Sequence, residues 1–217
     1  MERPGKIQLI HDTGIIAIIR ATSPVQLSIA VDAIKQGGVQ VIEVTMTTPG
    51  ALDLITQVKK RYADEVLFGA GTVLDVETAR AAILAGAEFI VAPTLNLDVI
   101  ALCNRYNVPI LPGCSTPTEM LTAWQAGADL IKLFPADVGG PKLLKAILAP
   151  LPQLRIVPVG GVDLSNAAEF IKMGAFALGV GSSLVNEKLL DSGDKAEVTR
   201  RAAAFVEAVK QAHGEKP

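Results

Sequence analysis

Apolar residues fall along the chain in short, nearly unbroken runs separated by longer segments of helical spacing. The runs are Gly14-Ile15-Ile16-Ala17-Ile18-Ile19, Val39-Gln40-Val41-Ile42-Glu43-Val44, Val66-Leu67-Phe68, Phe89-Ile90-Val91, Val108-Pro109-Ile110-Leu111, Leu130-Ile131-Lys132-Leu133-Phe134, Arg155-Ile156-Val157-Pro158-Val159 and Phe176-Ala177-Leu178-Gly179-Val180. These eight stretches are rich in β-branched residues and mostly lack polar alternation, which predicts strands covered on both faces. Between them, 24–36, 49–62, 75–85, 96–106, 116–126 and 140–149 carry the Ala-, Leu- and Lys-rich spacing of helices. A short N-terminal helix (about 3–12) and a C-terminal helix (about 194–212) flank them.

The punctuation agrees with the periodicity. Gly37-Gly38, Gly86-Ala87, Gly127-Ala128 and Gly174-Ala175 each sit between a helical segment and the next strand. There glycine ends a helix in the left-handed conformation without a Cβ penalty. Ser23-Pro24 and Thr48-Pro49 each read as an N-cap followed by proline at the first helical position. Strand-plus-helix units without a linker predict an α/β fold, a single-domain (β/α)8 TIM barrel over residues 1–217. The competing architecture, a doubly wound open sheet, would place a glycine-rich dinucleotide turn after the first strand, and that turn is missing.

Composition narrows the function classes. Half of the 217 residues are hydrophobic, 19% are charged, and the formal net charge is −2. Such a chain is not a disordered segment, and without a basic field nucleic acid is not its expected partner. No apolar run approaches the ~18 residues of a membrane span. The N-terminal stretch MERPGKIQLIHDTG lacks the design of a secretory signal. Cys103 and Cys114 have no ligand spacing, so a reduced, cytoplasmic protein with no membrane attachment is expected.

A barrel of this kind carries its chemistry at the C-terminal ends of the strands. Lys132 breaks an otherwise apolar strand, and alternation places it on the face of Leu130 and Phe134, directed inward. An ammonium there is costly to desolvate, and burial lowers its pKa toward the neutral amine that attacks a carbonyl. The pattern alone leaves a Schiff-base nucleophile and a structural ion pair both open. Glu43 shares the inner parity of Val41, Thr45 and Thr47. It either neutralises Lys132 or moves protons. Arg20 ends the first strand on the parity of Ile16 and Ile18, as a rim salt bridge or as a clamp on a carboxylate or phosphate. Gly160 and Gly161, and Gly181 and Ser182, follow the seventh and eighth strands, where backbone amides of this fold cradle phosphate; the plain alternative is a pair of tight turns. The two histidines, His11 and His213, lie near the chain ends, so an imidazole-bound metal is not expected, and a covalent lysine needs no metal or cofactor.

Several motifs then fit one family in order and at its spacing. They are Glu43-Val44-Thr45, Gly69-Ala70-Gly71-Thr72-Val73, Pro112-Gly113, Ile131-Lys132-Leu133-Phe134-Pro135-Ala136, Gly139-Gly140-Pro141 and Val159-Gly160-Gly161-Val162. From about Gly14 to Leu190 the chain resembles the class I 2-keto-3-deoxy-6-phosphogluconate / 4-hydroxy-2-oxoglutarate aldolases. The resemblance implies retro-aldol cleavage to pyruvate and an aldehyde, with Lys132 as the Schiff-base lysine, Glu43 as the proton-transfer group and Arg20 as the active-site arginine. It further implies that Thr72 and Pro93 shape the pyruvate pocket, that Phe134 lies beside the lysine, and that Gly160, Gly161, Gly181 and Ser182 hold phosphate. Relatives of this type are trimers, so a homotrimer is expected.

Two positions depart from the phosphogluconate pattern. Thr47 stands where some members carry a carboxylate-gripping arginine, leaving that task to Thr72, backbone amides or Arg20. Val159 stands where the gluconate-type loop has threonine, as in galactonate-specific relatives, which changes the hydrogen bonding offered to a substrate hydroxyl. The competing readings are a phosphosugar isomerase or epimerase working without an imine, and a non-catalytic barrel; the Glu43/Lys132 pair disfavours both.

Overall fold

The computed structural model describes residues 1–63 and 65–214. Helix α1 (Arg3–Thr13) precedes β1 (Ile15–Ile19), and strands and helices then alternate: α2 (Pro24–Gln36), β2 (Val41–Thr45), α3 (Ala51–Tyr62), β3 (Leu67–Gly71), α4 (Val76–Leu84), β4 (Phe89–Val91) and α5 (Leu97–Arg105). There follow β5 (Ile110–Leu111), β6 (Gly113–Cys114), α6 (Pro117–Gln125), β7 (Ile131–Leu133), a 3-10 turn (Ala136–Val138), α7 (Gly140–Leu148), β8 (Ile156–Pro158), α8 (Ala167–Lys172), β9 (Leu178–Val180), α9 (Glu187–Ser192) and α10 (Lys195–Gly214). The expected terminal helices are α1 and α10.

The strands form a six-stranded sheet in the order β5-β4-β3-β2-β1-β9 and a three-stranded sheet in the order β6-β7-β8. Every pairing is parallel. The fifth predicted strand is thus two short pieces rather than one. Pro112 divides them because it has no N–H for the ladder, while its carbonyl accepts the Lys132 N–H at 3.0 Å. At the other edge, Val159 and Gly179 form a parallel bridge, and the Phe176 N–H donates to the Ile156 carbonyl at 2.8 Å.

Side-chain alternation sorts the strands' residues into two apolar clusters. Ile15, Ile42, Phe68, Ile90, Ile131 and Leu178 face the helices. Ile16, Ile18, Val41, Leu67, Phe89, Leu111, Leu130, Val157, Val159 and Ala177 converge on one another instead. Residues from strands of both sheets meet in this second cluster, so the parallel sheet is curled around it, in a mixed α/β fold. Ile10 of α1 is fully buried in the same cluster. The Arg3 guanidinium anchors that helix, donating two hydrogen bonds to the Asp129 carboxylate at 2.8 and 2.7 Å and one to Asn104 at 2.6 Å.

Local signals mostly match the expected boundaries. The Ser23 hydroxyl caps α2 by accepting from the Gln26 N–H, and Thr116 with Glu119 forms a capping box on α6. Gly38, Gly86, Gly127 and Gly174 adopt φ of 93°, 105°, 90° and 101° between helix and strand. The expected cap Thr48-Pro49 is a correction. Helix α3 begins at Ala51 behind Gly50, whose φ is 68°. Thr48 instead belongs to the turn leaving β2: its N–H donates to the Thr45 carbonyl, and its buried hydroxyl lies 3.4 Å from that of Thr45. Among the described residues no helix is long and apolar enough to cross a membrane.

Candidate active site

Lys132 occupies the middle of β7, between Gly113 of β6 and Val157 of β8, and is 6% exposed. Its neighbours Ile131 and Leu133 pack under the helices, while Leu130 joins the inner cluster, so the lysine is directed inward as its parity requires. Glu43 occupies the middle of β2, between Ile18 of β1 and Gly69 of β3, and is 2% exposed. Room for its carboxylate comes from the next inward position of β3: a Cβ built on Gly71 would overlap the Glu43 side chain.

The electrostatics tie three residues together. Burial raises the Glu43 carboxyl above the ordinary carboxylate range, against the opposing pull of the Lys132 and Arg20 charges. Burial likewise lowers the Lys132 ammonium, Glu43 opposes that shift, and Arg20 reinforces it. Desolvation outweighs mutual attraction for both buried groups, so each is driven toward its neutral form. Among the described residues no direct hydrogen bond or ion pair joins Glu43 to Lys132. The Lys132 Nζ faces the Phe134 ring at 4.6 Å from its centroid. Phe134 in turn adjoins Gly160, where an added Cβ would sit 3.5 Å from the ring. A buried amine and a buried carboxyl group thus lie within electrostatic reach of each other and of the exposed Arg20 guanidinium.

The remaining expected residues surround this group with varied exposure. Arg20 leaves β1 and is exposed, as is Thr47, whose hydroxyl lies 2.9 Å from that of the buried Thr45. Thr72 is half-buried with φ of 59°, a left-handed conformation uncommon outside glycine. Pro93 is half-buried after β4, and its carbonyl abuts Gly113. Val159 is buried in the inner cluster against Gly179. Gly160 and Gly161 turn the chain at φ of 92° and 69°. The Gly181 carbonyl accepts from Leu184 and Val185, so Gly181 and Ser182 enter a turn. Among the described residues the N–H groups of Gly161, Gly181 and Ser182 form no loop or turn hydrogen bond with the backbone, whereas that of Gly160 lies in the Val159–Gly179 bridge. Three donors therefore remain at two loops that the Val159–Gly179 bridge brings side by side.

Sequence reasoning did not give Gly71 a part. The available signal was its inward parity one ladder step from Glu43. Burial raises both cysteine thiols to about 12, which leaves them unreactive as nucleophiles. Among the described residues no group of three His, Cys, Asp or Glu side chains is placed to hold a metal ion.

The family model "KDPG and KHG aldolase" matches residues 7–201. The chain is 36% identical over 200 residues to the 2-dehydro-3-deoxy-6-phosphogalactonate aldolase of Escherichia coli K12, covering 91% of this chain and 95% of that protein. It is 39% identical over 168 residues to the 2-dehydro-3-deoxy-phosphogluconate aldolase of Treponema pallidum, covering 77% and 80%. Its fold superposes with a TM-score of 0.87, at 26% identity and covering 92% and 97%, on a KDPG aldolase from Legionella pneumophila. That structure has pyruvate captured as a covalent carbinolamine intermediate. With the buried lysine, the glutamate and the family match all on one chain, this protein belongs to the KDPG and KHG aldolase family.

Proposed function

We propose that this protein is a class I aldolase that cleaves a phosphorylated 2-keto-3-deoxy sugar acid, or 4-hydroxy-2-oxoglutarate, to pyruvate and an aldehyde through an imine on Lys132. The observation that carries this reading is a lysine buried mid-strand whose ammonium is lowered by desolvation, facing a buried glutamate. A carbinolamine is the adduct of an amine and a carbonyl, so the covalent pyruvate of the Legionella relative supports the same chemistry here.

The neutral Lys132 amine adds to the C2 carbonyl, and loss of water with uptake of a proton from solvent leaves an iminium. Glu43, as carboxylate, takes the C4 hydroxyl proton directly or through water. The C3–C4 bond breaks as its electron pair moves into the iminium, releasing the aldehyde and leaving an enamine. Glu43 returns the proton to C3, and water hydrolyses the pyruvate iminium to free pyruvate and the neutral amine, releasing a proton to solvent. A raised carboxyl pKa suits a group that must both take and give a proton.

Arg20, Thr47, Thr72 and Pro93 would bind the pyruvate end, and the amides of Gly160, Gly161, Gly181 and Ser182 the phosphate. No cofactor or metal enters this scheme. Phosphogluconate is the main substrate reading, with the galactonate epimer as alternative, since a relative of each name matches. Val159 in place of threonine favours the galactonate side.

The reading extends to architecture and setting. The Pro112 break and the Val159–Gly179 bridge support closure of the two sheets into one single-domain (β/α)8 barrel. Exposed Leu84 and Val138, at 69% and 80%, support burial of apolar surface in a homotrimer, which light scattering would test. The free thiols fit a cytoplasmic setting. Borohydride reduction in the presence of pyruvate tests the chemistry: a stable adduct on Lys132 is expected, and its absence by mass spectrometry would refute the mechanism.

A further inference from the structure

We propose that Gly71 is a positioning residue for Glu43, its missing side chain being the space in which the carboxylate is held at the reacting carbons. This rests on the aldolase reading above. The three heavy atoms nearest to a Cβ built at Gly71 are Oε1, Cδ and Cγ of Glu43, all close enough to overlap it. The backbone conformation does not demand glycine there, because Gly71 is not among the residues with positive φ. Gly69, two residues earlier on the same face, makes the contrast: its space is taken by the Phe89 ring.

The seat is rigid on both sides. Glu43 pairs with Ile18 of β1 and Gly69 of β3, and Thr45 pairs with Gly71 itself. The Gly71 carbonyl also accepts the Met46 N–H at 2.7 Å, tying the ends of β2 and β3 together. With both backbones fixed in the ladder, an added methyl leaves Glu43 its own torsions as the means of relief. Rotation carries the carboxylate away from its seat. Lys132 lies on β7 in the other sheet, outside this contact. Gly71 therefore acts on proton transfer and leaves imine formation alone, which separates a positioning role from general packing.

The test uses Gly71→Ala, Glu43→Ala and the double variant beside the unaltered protein. Each is measured for borohydride trapping with pyruvate, for exchange of pyruvate methyl protons with deuterium, and for Tm. In Gly71→Ala, trapping should stay within about threefold of the unaltered protein while exchange falls about 10²-fold, the scale of a lost acid–base group. In the Glu43→Ala background the same substitution should change neither exchange nor Tm, because the clash has gone with the side chain. Unchanged exchange in Gly71→Ala overturns the proposal, and so does an equal further loss of exchange or Tm in the Glu43→Ala background. Should Gly71→Ala fail to fold alone, a double variant with the Tm of Glu43→Ala supports the seat, and one that also fails to fold overturns it. Failure of the unaltered protein to trap pyruvate would instead strike the aldolase reading, and the Tm comparison would still decide whether Gly71 seats Glu43.

Discussion

The Nζ of Lys132 lies 4.6 Å from the centre of the Phe134 ring, two residues along the same face. An aromatic face attracts cations, and an iminium on Lys132 is one, whereas the amine that precedes it is driven toward neutrality by burial. In the proposed mechanism the ring would thus favour the iminium over the free amine. Phe134→Leu keeps apolar bulk and removes the quadrupole. Turnover should fall several-fold, in line with the about 0.5–2 kcal/mol of such contacts. An unaltered single-turnover rate would remove the ring from the chemistry.

Lys132→Ala should abolish aldol cleavage and leave the protein folded, because truncation removes a desolvated charge together with the nucleophile. Circular dichroism and a coupled pyruvate assay check the two halves. Substantial remaining cleavage would sink the imine assignment.

The pH dependence of trapping follows from the direction of the lysine shift. With the neutral amine as the proposed nucleophile, the trapping rate should be low below the Lys132 pKa and rise to a plateau above it. The midpoint should lie below the ordinary lysine value of 10.5. Glu43 raises the Lys132 pKa, so Glu43→Gln should move the midpoint further down while imine still forms. Turnover should drop by roughly 10²-fold in that variant, the usual effect of losing an acid–base group. A midpoint that moves upward would show that the two residues are not coupled as described.

Val159→Thr is nearly isosteric and places a hydroxyl beside the Gly160-Gly161 turn. The kcat/KM ratio of the gluconate-configured to the galactonate-configured substrate should rise several-fold, about what one hydrogen bond of ~1 kcal/mol provides. Rates on the two epimers, measured in parallel, decide it. An unmoved ratio would mean that residue 159 does not read the C4 hydroxyl.

Away from the site, Arg3→Ala should lower stability by about 1–3 kcal/mol, because it strips a mostly buried carboxylate of its charged partner. Asp129 also accepts the Ile110 N–H at 3.3 Å, so the loss reaches the start of β5. Urea unfolding gives the number; a midpoint unchanged with Arg3→Ala would show that α1 is held by Ile10 alone.

Parity carried most of what was legible beforehand. Leu130, Lys132 and Phe134 on one face, and Val41 with Glu43 on another, could be read from two-residue periodicity because the backbone obeys it. Where a tertiary contact competes with a local signal, the sequence misleads. Thr48-Pro49 has the composition of a helix cap, yet the Thr48 hydroxyl is drawn to Thr45 and the helix starts beyond it. The fifth strand reads as if it could run from 108–111 on through Pro112-Gly113, but the ladder needs an N–H that Pro112 does not have, and the strand stops at Leu111 and resumes at Gly113. The left-handed backbone of Thr72 carries no signature in its side chain. Gly71 resembles any strand glycine until the carboxylate two strand positions away is seen to lie over it.

The inward glycines of this interior lend their volume to a neighbouring strand: Gly69 to Phe89, Gly71 to Glu43 and Gly179 to Val159. At Gly179 a Cβ would stand 2.5 Å from a Val159 methyl. Cavity shape is therefore a property of residue pairs rather than of single positions. Among homologous sequences, a side chain at 69 or 179 should be accompanied by a smaller one at 89 or 159, and position 71 should stay glycine wherever 43 stays glutamate. An engineer reshaping the pocket for a bulkier aldehyde would have to trade size across the ladder, one strand shrinking as its neighbour grows.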